Sequence, residues 1–417
     1  MAGQTPSFFG PAQGIDSASA VTVNASGIYV AGSGLGKYDL AGNELWTLGG
    51  NGGIGVAADT TGVYTIGGAT LRKYSGGGSE MWTIILQQEF TTAAVAVDSS
   101  GVYAAVRDGF RHFLAKYSSD GSQLWTSQWD APSQGVSLAV ITDTTGVYVL
   151  SFGTVGSGAG LLARKYDPRG NALWQREYAT AYPIAFSAAQ PSGFFVAGGI
   201  GFGFVNTSLH RYDADGNELW SLPLATPTLT GVAADTTGVY IIGSTSSAGP
   251  ALPGQCRSGS GGDSFVRKYD LNGAELWTRE FGVSGATLAS AVAADSSGGV
   301  YVVGREGSGL GSVVDDFPSD GGAFLAKLGT TPAVTGAGPH ILPDCIVNAA
   351  SYIGGGVAPG EIVTLFGSGL GPPDLVPLSL TDGQTLATTL AGTRIWFNNA
   401  PAPLMYVSDQ QSSAIVP

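Results

Sequence analysis

With 417 residues, only 12% of them charged and 66 of them glycine, the chain is too poor in Glu, Lys and Gln for a helical protein and suits many short strands joined by tight turns. Eighteen Lys plus Arg against 31 Asp plus Glu leave a net charge of −13, scattered along the chain, which argues against nucleic acid as a partner. Cys256 and Cys345 are the only cysteines and no stretch approaches 18 uninterrupted apolar residues, which excludes a disulfide scaffold, a multi-cysteine zinc protein and insertion into a membrane by an apolar helix.

The opening residues MAGQTPSFFG carry neither a basic n-region nor an apolar h-region, so any export signal is expected outside this sequence. From there a tripartite unit recurs: an apolar run ending in a polar turn, then Gly-Val-Tyr with apolar residues, then an aromatic and basic strand closing on Leu-Trp. The aromatic of the second element is Tyr29, Tyr64, Tyr103, Tyr148, Phe195, Tyr240 and Tyr301, which predicts seven units. The closing tryptophan is Trp46, Trp82, Trp125, Trp174, Trp220 and Trp277, and its role is read as packing one unit against the next. Residues 1–328 shared among seven units give about 47 residues each, the period of a four-stranded propeller blade.

Strand one of each unit is rich in small residues, as in Val56-Ala57-Ala58 and Val232-Ala233-Ala234, which fits the crowded position near a propeller axis. The seventh unit has no Leu-Trp strand after Lys327. The N-terminal Thr5-Pro6-Ser7-Phe8-Phe9-Gly10 aligns with Trp277-Thr278-Arg279-Glu280-Phe281-Gly282, so the chain start is expected to supply the missing strand and close the ring.

Gly261-Gly262-Asp263-Ser264-Phe265-Val266-Arg267-Lys268-Tyr269-Asp270 and Val292-Ala293-Ala294-Asp295-Ser296-Ser297-Gly298 resemble the bacterial SBBP-type β-propeller repeat, and the resemblance covers roughly residues 1–328. It implies a propeller fold and a secreted or surface location, and it carries no catalytic motif. The Tyr-Asp-x-x-Gly-x-x-Leu-Trp pattern is also similar to the tryptophan-docking repeats of quinone-dependent dehydrogenase propellers. Those have eight blades and a set of polar ligands absent here, so no cofactor is expected.

Residues 329–344, rich in Thr, Pro, Gly and Ala, read as a linker. Beyond it, Asn348-Ala349-Ala350-Ser351, the run from Ala358 to Gly371, and the segments Thr393 to Asn398 and Pro401 to Val407 resemble a C-terminal module of secreted acidobacterial proteins, of the immunoglobulin-like IPT/TIG type. That resemblance spans residues 345–417 and implies a β-sandwich. A full sandwich needs roughly 100 residues, so this one is expected to be partial. The fold class expected is therefore all-β: a seven-bladed propeller closed by an N-terminal strand, followed by a partial immunoglobulin-like sandwich.

Few residues invite chemistry. Asp213-Ala214-Asp215-Gly216-Asn217-Glu218 spaces oxygen ligands as a calcium loop does, but the equivalent turns Asp270-Leu271-Asn272-Gly273 and Ser75-Gly76-Gly77-Gly78 do not, which favours a plain hairpin turn. His112, His210 and His340 lack metal-ligand spacing and read as packing or surface residues. Glycine pentapeptides such as Gly32-Ser33-Gly34-Leu35-Gly36 have no following Lys-Ser/Thr and read as loop formers. Cys256 and Cys345 are expected to be free thiols.

Connections between strands one and two and between three and four stay short. Those between two and three grow to Ser244 through Asp263 in the sixth unit and Arg305 through Gly322 in the seventh. One face is thus elaborated, and Arg257, Asp263, Arg305, Glu306, Asp315, Asp316, Phe317 and Asp320 are its candidate ligand-binding residues. The expected function is a secreted, periplasmic or cell-surface binding or structural module, monomeric, with an extracellular glycan or protein as ligand. A propeller lyase or hydrolase acting on an extracellular polymer is the alternative.

Overall fold

The structure is a computed structural model that describes residues 8–12, 15–50, 52–86, 92–108, 111–130, 138–155, 158–178, 182–188, 192–200, 205–224, 228–244, 264–281, 287–306, 322–328, 340–350, 357–409 and 411–417. Its regular structure is all strand. Among the described residues there is no helix long and apolar enough to cross a membrane.

The first sheet sets the plan. Ala18–Asn24, Gly27–Gly32, Gly34–Tyr38 and Glu44–Gly49 run antiparallel in that order. Five more sheets of four strands follow in sequence: from Gly55–Ala58 to Glu80–Ile85, Thr92–Asp98 to Gln123–Asp130, Leu138–Asp143 to Ala172–Tyr178, Tyr182–Ala188 to Glu218–Leu224, and Thr228–Asp235 to Glu275–Phe281. The seventh joins Thr287–Ala294, Val300–Glu306 and Ala323–Leu328 to the N-terminal Phe8–Pro11.

The first strands of neighbouring sheets lie against one another in chain order, and that of the seventh lies against that of the first. Every gap between neighbouring sheets, the one from seventh to first included, holds its own cluster of buried apolar side chains. The aromatic of the Gly-Val-Tyr element contributes to these clusters and is at most 1% exposed in all seven units. Burial of large side chains at about 1.5–3 kcal/mol each is what holds the sheets face to face.

The N-terminal strand closes the ring in a register the sequence alignment did not anticipate. Phe8 stands opposite Lys327 and Pro11 opposite Phe324, whereas the alignment placed Phe8 level with Glu280, which stands opposite Phe265. Phe8 thus occupies the register position that Trp277 holds opposite Lys268. The alignment matched the Phe-Gly at the strand end, while the ladder puts an aromatic residue across from the lysine.

Beyond residue 339, His340–Asn348, Ile362–Ser368, Gln411–Ile415, Leu404–Val407 and Val376–Pro377 form one five-stranded sheet in that order, and Trp396–Phe397 pairs with Ala400–Pro401. The first of these strands begins at His340, so residues 340–344 of the expected linker are strand. Two buried clusters, one around Leu404 and Val407 and one around Val363 and Leu365, share Ile395 and Phe397 at their edges.

Candidate functional site

Of the candidate ligand-binding residues, Arg257, Asp263, Asp315, Asp316, Phe317 and Asp320 lie outside the described residues, as does Cys256. Arg305 is exposed near the end of Val300–Glu306, where its backbone pairs with Leu288 and Ala323. Glu306 ends the same strand opposite Thr287. The structure therefore brings Arg305 and Glu306 to one strand end.

The opposite face is the repeat's own machinery. At the turn between strands one and two, Asp235 accepts hydrogen bonds from the Thr237 N–H and hydroxyl, the Gly238 N–H and the Tyr240 hydroxyl at 2.6–2.9 Å. Asp59, Asp98, Asp143 and Asp295 likewise hold Tyr64, Tyr103, Tyr148 and Tyr301. The third-strand lysine lies over the ring of that tyrosine, its Nζ 4.8–5.4 Å from the centroid, in Lys37, Lys73, Lys116, Lys165, Lys268 and Lys327.

The same lysine reaches into the next sheet. Lys37 donates to the Gly76 carbonyl, Lys73 to Ser119, Lys116 to Pro168, Lys165 to Ala214 and Lys327 to Leu40, at 2.7–3.0 Å. Trp46, Trp82, Trp125 and Trp174 donate Nε1–H to the carbonyls of Gly76, Ser119, Pro168 and Ala214 at 3.1 Å. In the fifth sheet, Arg211 and Trp220 share the Leu271 carbonyl in the same way.

A β-bulge after the lysine makes this reach possible. Lys37 pairs with Trp46 but Tyr38 pairs with Glu44, so Leu45 is the extra residue and is 53% exposed. The receiving turn ends in a glycine with positive φ, and a Cβ there would press on the incoming indole, as at Gly78 under Trp46 and Gly121 under Trp82. The tryptophans are thus clasps between sheets, as the repeat predicted.

The calcium-like turn has the common hairpin geometry. Asp213 Oδ1 accepts from the N–H groups of Asp215 and Asn217 at 2.9 and 2.8 Å, and Oδ2 from the Asn217 amide at 3.0 Å. Asp39 and Asp167 use both carboxylate oxygens in the same way.

Two polar groupings escaped the sequence analysis. His112 is 1% exposed beside Trp129, with ring centroids 5.4 Å apart, and neither ring nitrogen has a hydrogen-bond partner among the described residues. Desolvation, with the Arg107 and Arg164 guanidinium groups nearby, pushes its imidazole down to about 4. Arg164 lies over the Trp129 ring at 4.9 Å. The second grouping is a string in the fifth sheet. Ser208 Oγ is 2.8 Å from His210 Nε2, and His210 Nδ1 is 3.5 Å from Glu218 Oε1, with the imidazole stacked on Tyr212.

A Ser, His, Glu string resembles the arrangement that activates a hydroxyl nucleophile, but His210 Nδ1 makes no hydrogen bond and only approaches Glu218 at 3.5 Å, so the link that would orient the base is not formed. Here Thr207, Ser208 and Leu209 pair on both sides, with Gly199, Gly198 and Ala197 and with Leu224, Pro223 and Leu222, so the neighbouring backbone groups are engaged in the ladder. The legible signal was His210 at a strand position where the units ending in Tyr38, Tyr74, Tyr117, Tyr166 and Tyr269 carry Gly, Arg, Ala, Arg and Arg. Among the described residues no group of three or more metal-binding side chains occurs.

Residues 31–184 match the family described as "Outer membrane protein assembly factor BamB", and residues 276–305 match the SBBP family, "Beta-propeller repeat". The architecture is propeller-like. Among solved structures, BBS1N in complex with ARL6DN, soaked with mercury, superposes with a TM-score of 0.51 at 15% identity over 78% of this chain and 97% of that one. The lead-soaked form of that complex gives 0.50 at 14% identity over the same shares. The Dos1 propeller gives 0.47 at 10% identity over 78% and 94%. No curated protein matches the chain in sequence. At these identities the likeness is one of fold.

Proposed function

We propose that this chain is a secreted or cell-surface binding module, monomeric, and without catalytic activity of its own. Its scaffold is a seven-bladed propeller closed by the N-terminal strand, followed by an immunoglobulin-like module of the IPT/TIG type. Its ligand is a glycan or protein of the cell exterior.

The observation that carries this reading is where the repeated polar groups go. The Asp, Tyr, Lys and Trp of the repeat spend their hydrogen bonds on turns and on the neighbouring blade, so the repeat is scaffold and binding falls to residues outside it. The exposed Arg305 stands at the other strand end, next to which the sequence puts its long connections. The propeller-like BBS1N is itself in complex with a protein, ARL6DN.

A glycan array together with a pull-down from the native envelope tests the reading. A specific binder is expected, and replacing residues 308–322 by a short Gly-Ser turn is expected to abolish its capture while leaving the melting curve in place. Retained affinity in that variant moves the site elsewhere, and no binder from either experiment overturns the reading.

The Ser208, His210, Glu218 string favours one second reading, a hydrolase using Ser208 as nucleophile. Turnover of p-nitrophenyl esters that is lost in Ser208→Ala supports it, and no turnover above buffer removes it.

A further inference from the structure

The strand that carries the tryptophan position ends every sheet of the ring, and among the described residues no further strand pairs with its outer side. Such an edge presents a row of unpaired N–H and C=O groups that another chain can extend, and proteins blunt it with charged side chains or proline. Three places after the tryptophan position, the fourth sheet carries Glu177, the fifth Pro223, the sixth Glu280 and the seventh Pro11, opposite Leu162, Ser208, Phe265 and Phe324. Gly49 and Gln128 stand there in the first and third, opposite Gly34 and Phe113. The second sheet has Ile85, opposite Thr70.

Ile85 is 75% exposed, more than any other large apolar side chain among the described residues, and Met81 of the same strand is 56% exposed. Trp82 and Ile84 pack in the cluster between the second and third sheets. From Met81 to Ile85 this edge holds neither a charge nor a proline, only Met, Trp, Thr and Ile. The fold gives no reason for the isoleucine, since Gly, Gln, Glu and Pro serve at the same place in the other sheets.

The other end of the strand is acidic. Glu80 is exposed and accepts the Thr83 hydroxyl at 2.7 Å. Asp120 is exposed in the turn of the third sheet whose Ser119 carbonyl takes the Trp82 indole N–H at 3.1 Å. Neither carboxylate has an ion-pair partner among the described residues. A second copy of the chain would bring its own charge of −13 to this edge, so charge favours an occupant of opposite sign.

We infer that the outer edge of Glu80–Ile85 docks an extended, basic segment of a partner protein by strand addition. Apolar residues of that segment cover Met81 and Ile85, and its Lys or Arg pairs with Glu80 and Asp120. The surface uses none of the residues proposed above for the ligand, and neither reading depends on the other.

Panning a displayed library of random peptides against the full chain tests it. Enriched peptides are expected to alternate apolar with polar residues and to carry Lys or Arg. The best of them, made synthetically, is expected to bind the Ile85→Lys chain about tenfold more weakly or worse, with the melting curve unchanged. It is also expected to bind more weakly at low salt to a chain carrying Glu80→Gln and Asp120→Asn. A strand uses alternate backbone amides toward its neighbour, so N-methylation of one alternate set in the peptide is expected to abolish binding and of the other set to spare it. No enriched peptide, equal binding to the Ile85→Lys chain, or equal loss from both methylated sets overturns the inference. Dimers that form with concentration and vanish in Ile85→Lys overturn it in favour of a second copy. Peptide binding is expected to survive replacement of residues 308–322, and its loss there overturns the inference by moving the peptide to the ligand site.

Discussion

Asp235 is 5% exposed and accepts four hydrogen bonds from Thr237, Gly238 and Tyr240. Removing a buried acceptor leaves its donors unsatisfied at about 1–3 kcal/mol each, so Asp235→Ala is expected to cost about 3 kcal/mol or more, read as a lower urea midpoint. Titrations point both ways. Burial pushes the phenols of Tyr64 and Tyr103 up to about 12, above the unfolded value near 10. The neutral phenol is the form the fold favours, so their stabilisation is whole below pH 10 and is lost as pH rises toward 12. Melting curves between pH 8 and 11.5 are expected to fall less steeply for Tyr103→Phe than for the parent. His112 runs the other way: neutral when folded with its imidazole near 4, it contributes stability above pH 6.5 that drains away as pH falls to 4. His112→Phe is expected to flatten the loss of melting temperature between pH 7 and 5, and an identical acid limb counts against this role.

The unit of the fold is a clasp in which one sheet's Lys and Trp meet the next sheet's turn. Gly121 receives Trp82 with φ at 91°, and a Cβ there would lie 3.2 Å from the indole. Gly121→Ala therefore combines left-handed strain of about 1–3 kcal/mol with displacement of the ring, and is expected to lower the melting temperature and change Trp82 fluorescence. Gly77, whose added Cβ would come no nearer than 3.9 Å to the Ser75 hydroxyl, is the control in which alanine is expected to be silent. Much of this element was legible, because the Asp turn, the buried aromatic, the lysine and the tryptophan each recur at one repeat position. The bulge was not, since it depends on how two strands pair and not on which residues they hold.

At the scale of the molecule, closure depends on few contacts. Phe8–Pro11 pairs with Ala323–Leu328, the Ala12 N–H donates to the Ala323 carbonyl, and Lys327 reaches Leu40 of the first sheet. Deleting residues 1–11 uncovers the edge of Ala323–Leu328 and is expected to lower the melting temperature by about 5 °C or more and to promote aggregation. Unchanged melting in that deletion sinks closure as a source of stability. The C-terminal sheet has its own buried clusters around Leu404 and Val363, and the sequence pointed to strands there by resemblance alone.

The sequence by itself determined the all-β class, the repeated unit, the buried aromatics and the clasp tryptophans, because a repeated local pattern at fixed spacing leaves little choice of strand and turn. It also marked the face with long connections, although six of its eight candidate residues lie outside the described residues. Only the tertiary structure decided the register of Phe8 against Lys327, the meeting of Ser208, His210 and Glu218, and the apolar edge of Glu80–Ile85. Each of these depends on which residues of separate strands or sheets come level in space. That is set by hydrogen-bond register and sheet packing, which composition and spacing along the chain do not encode.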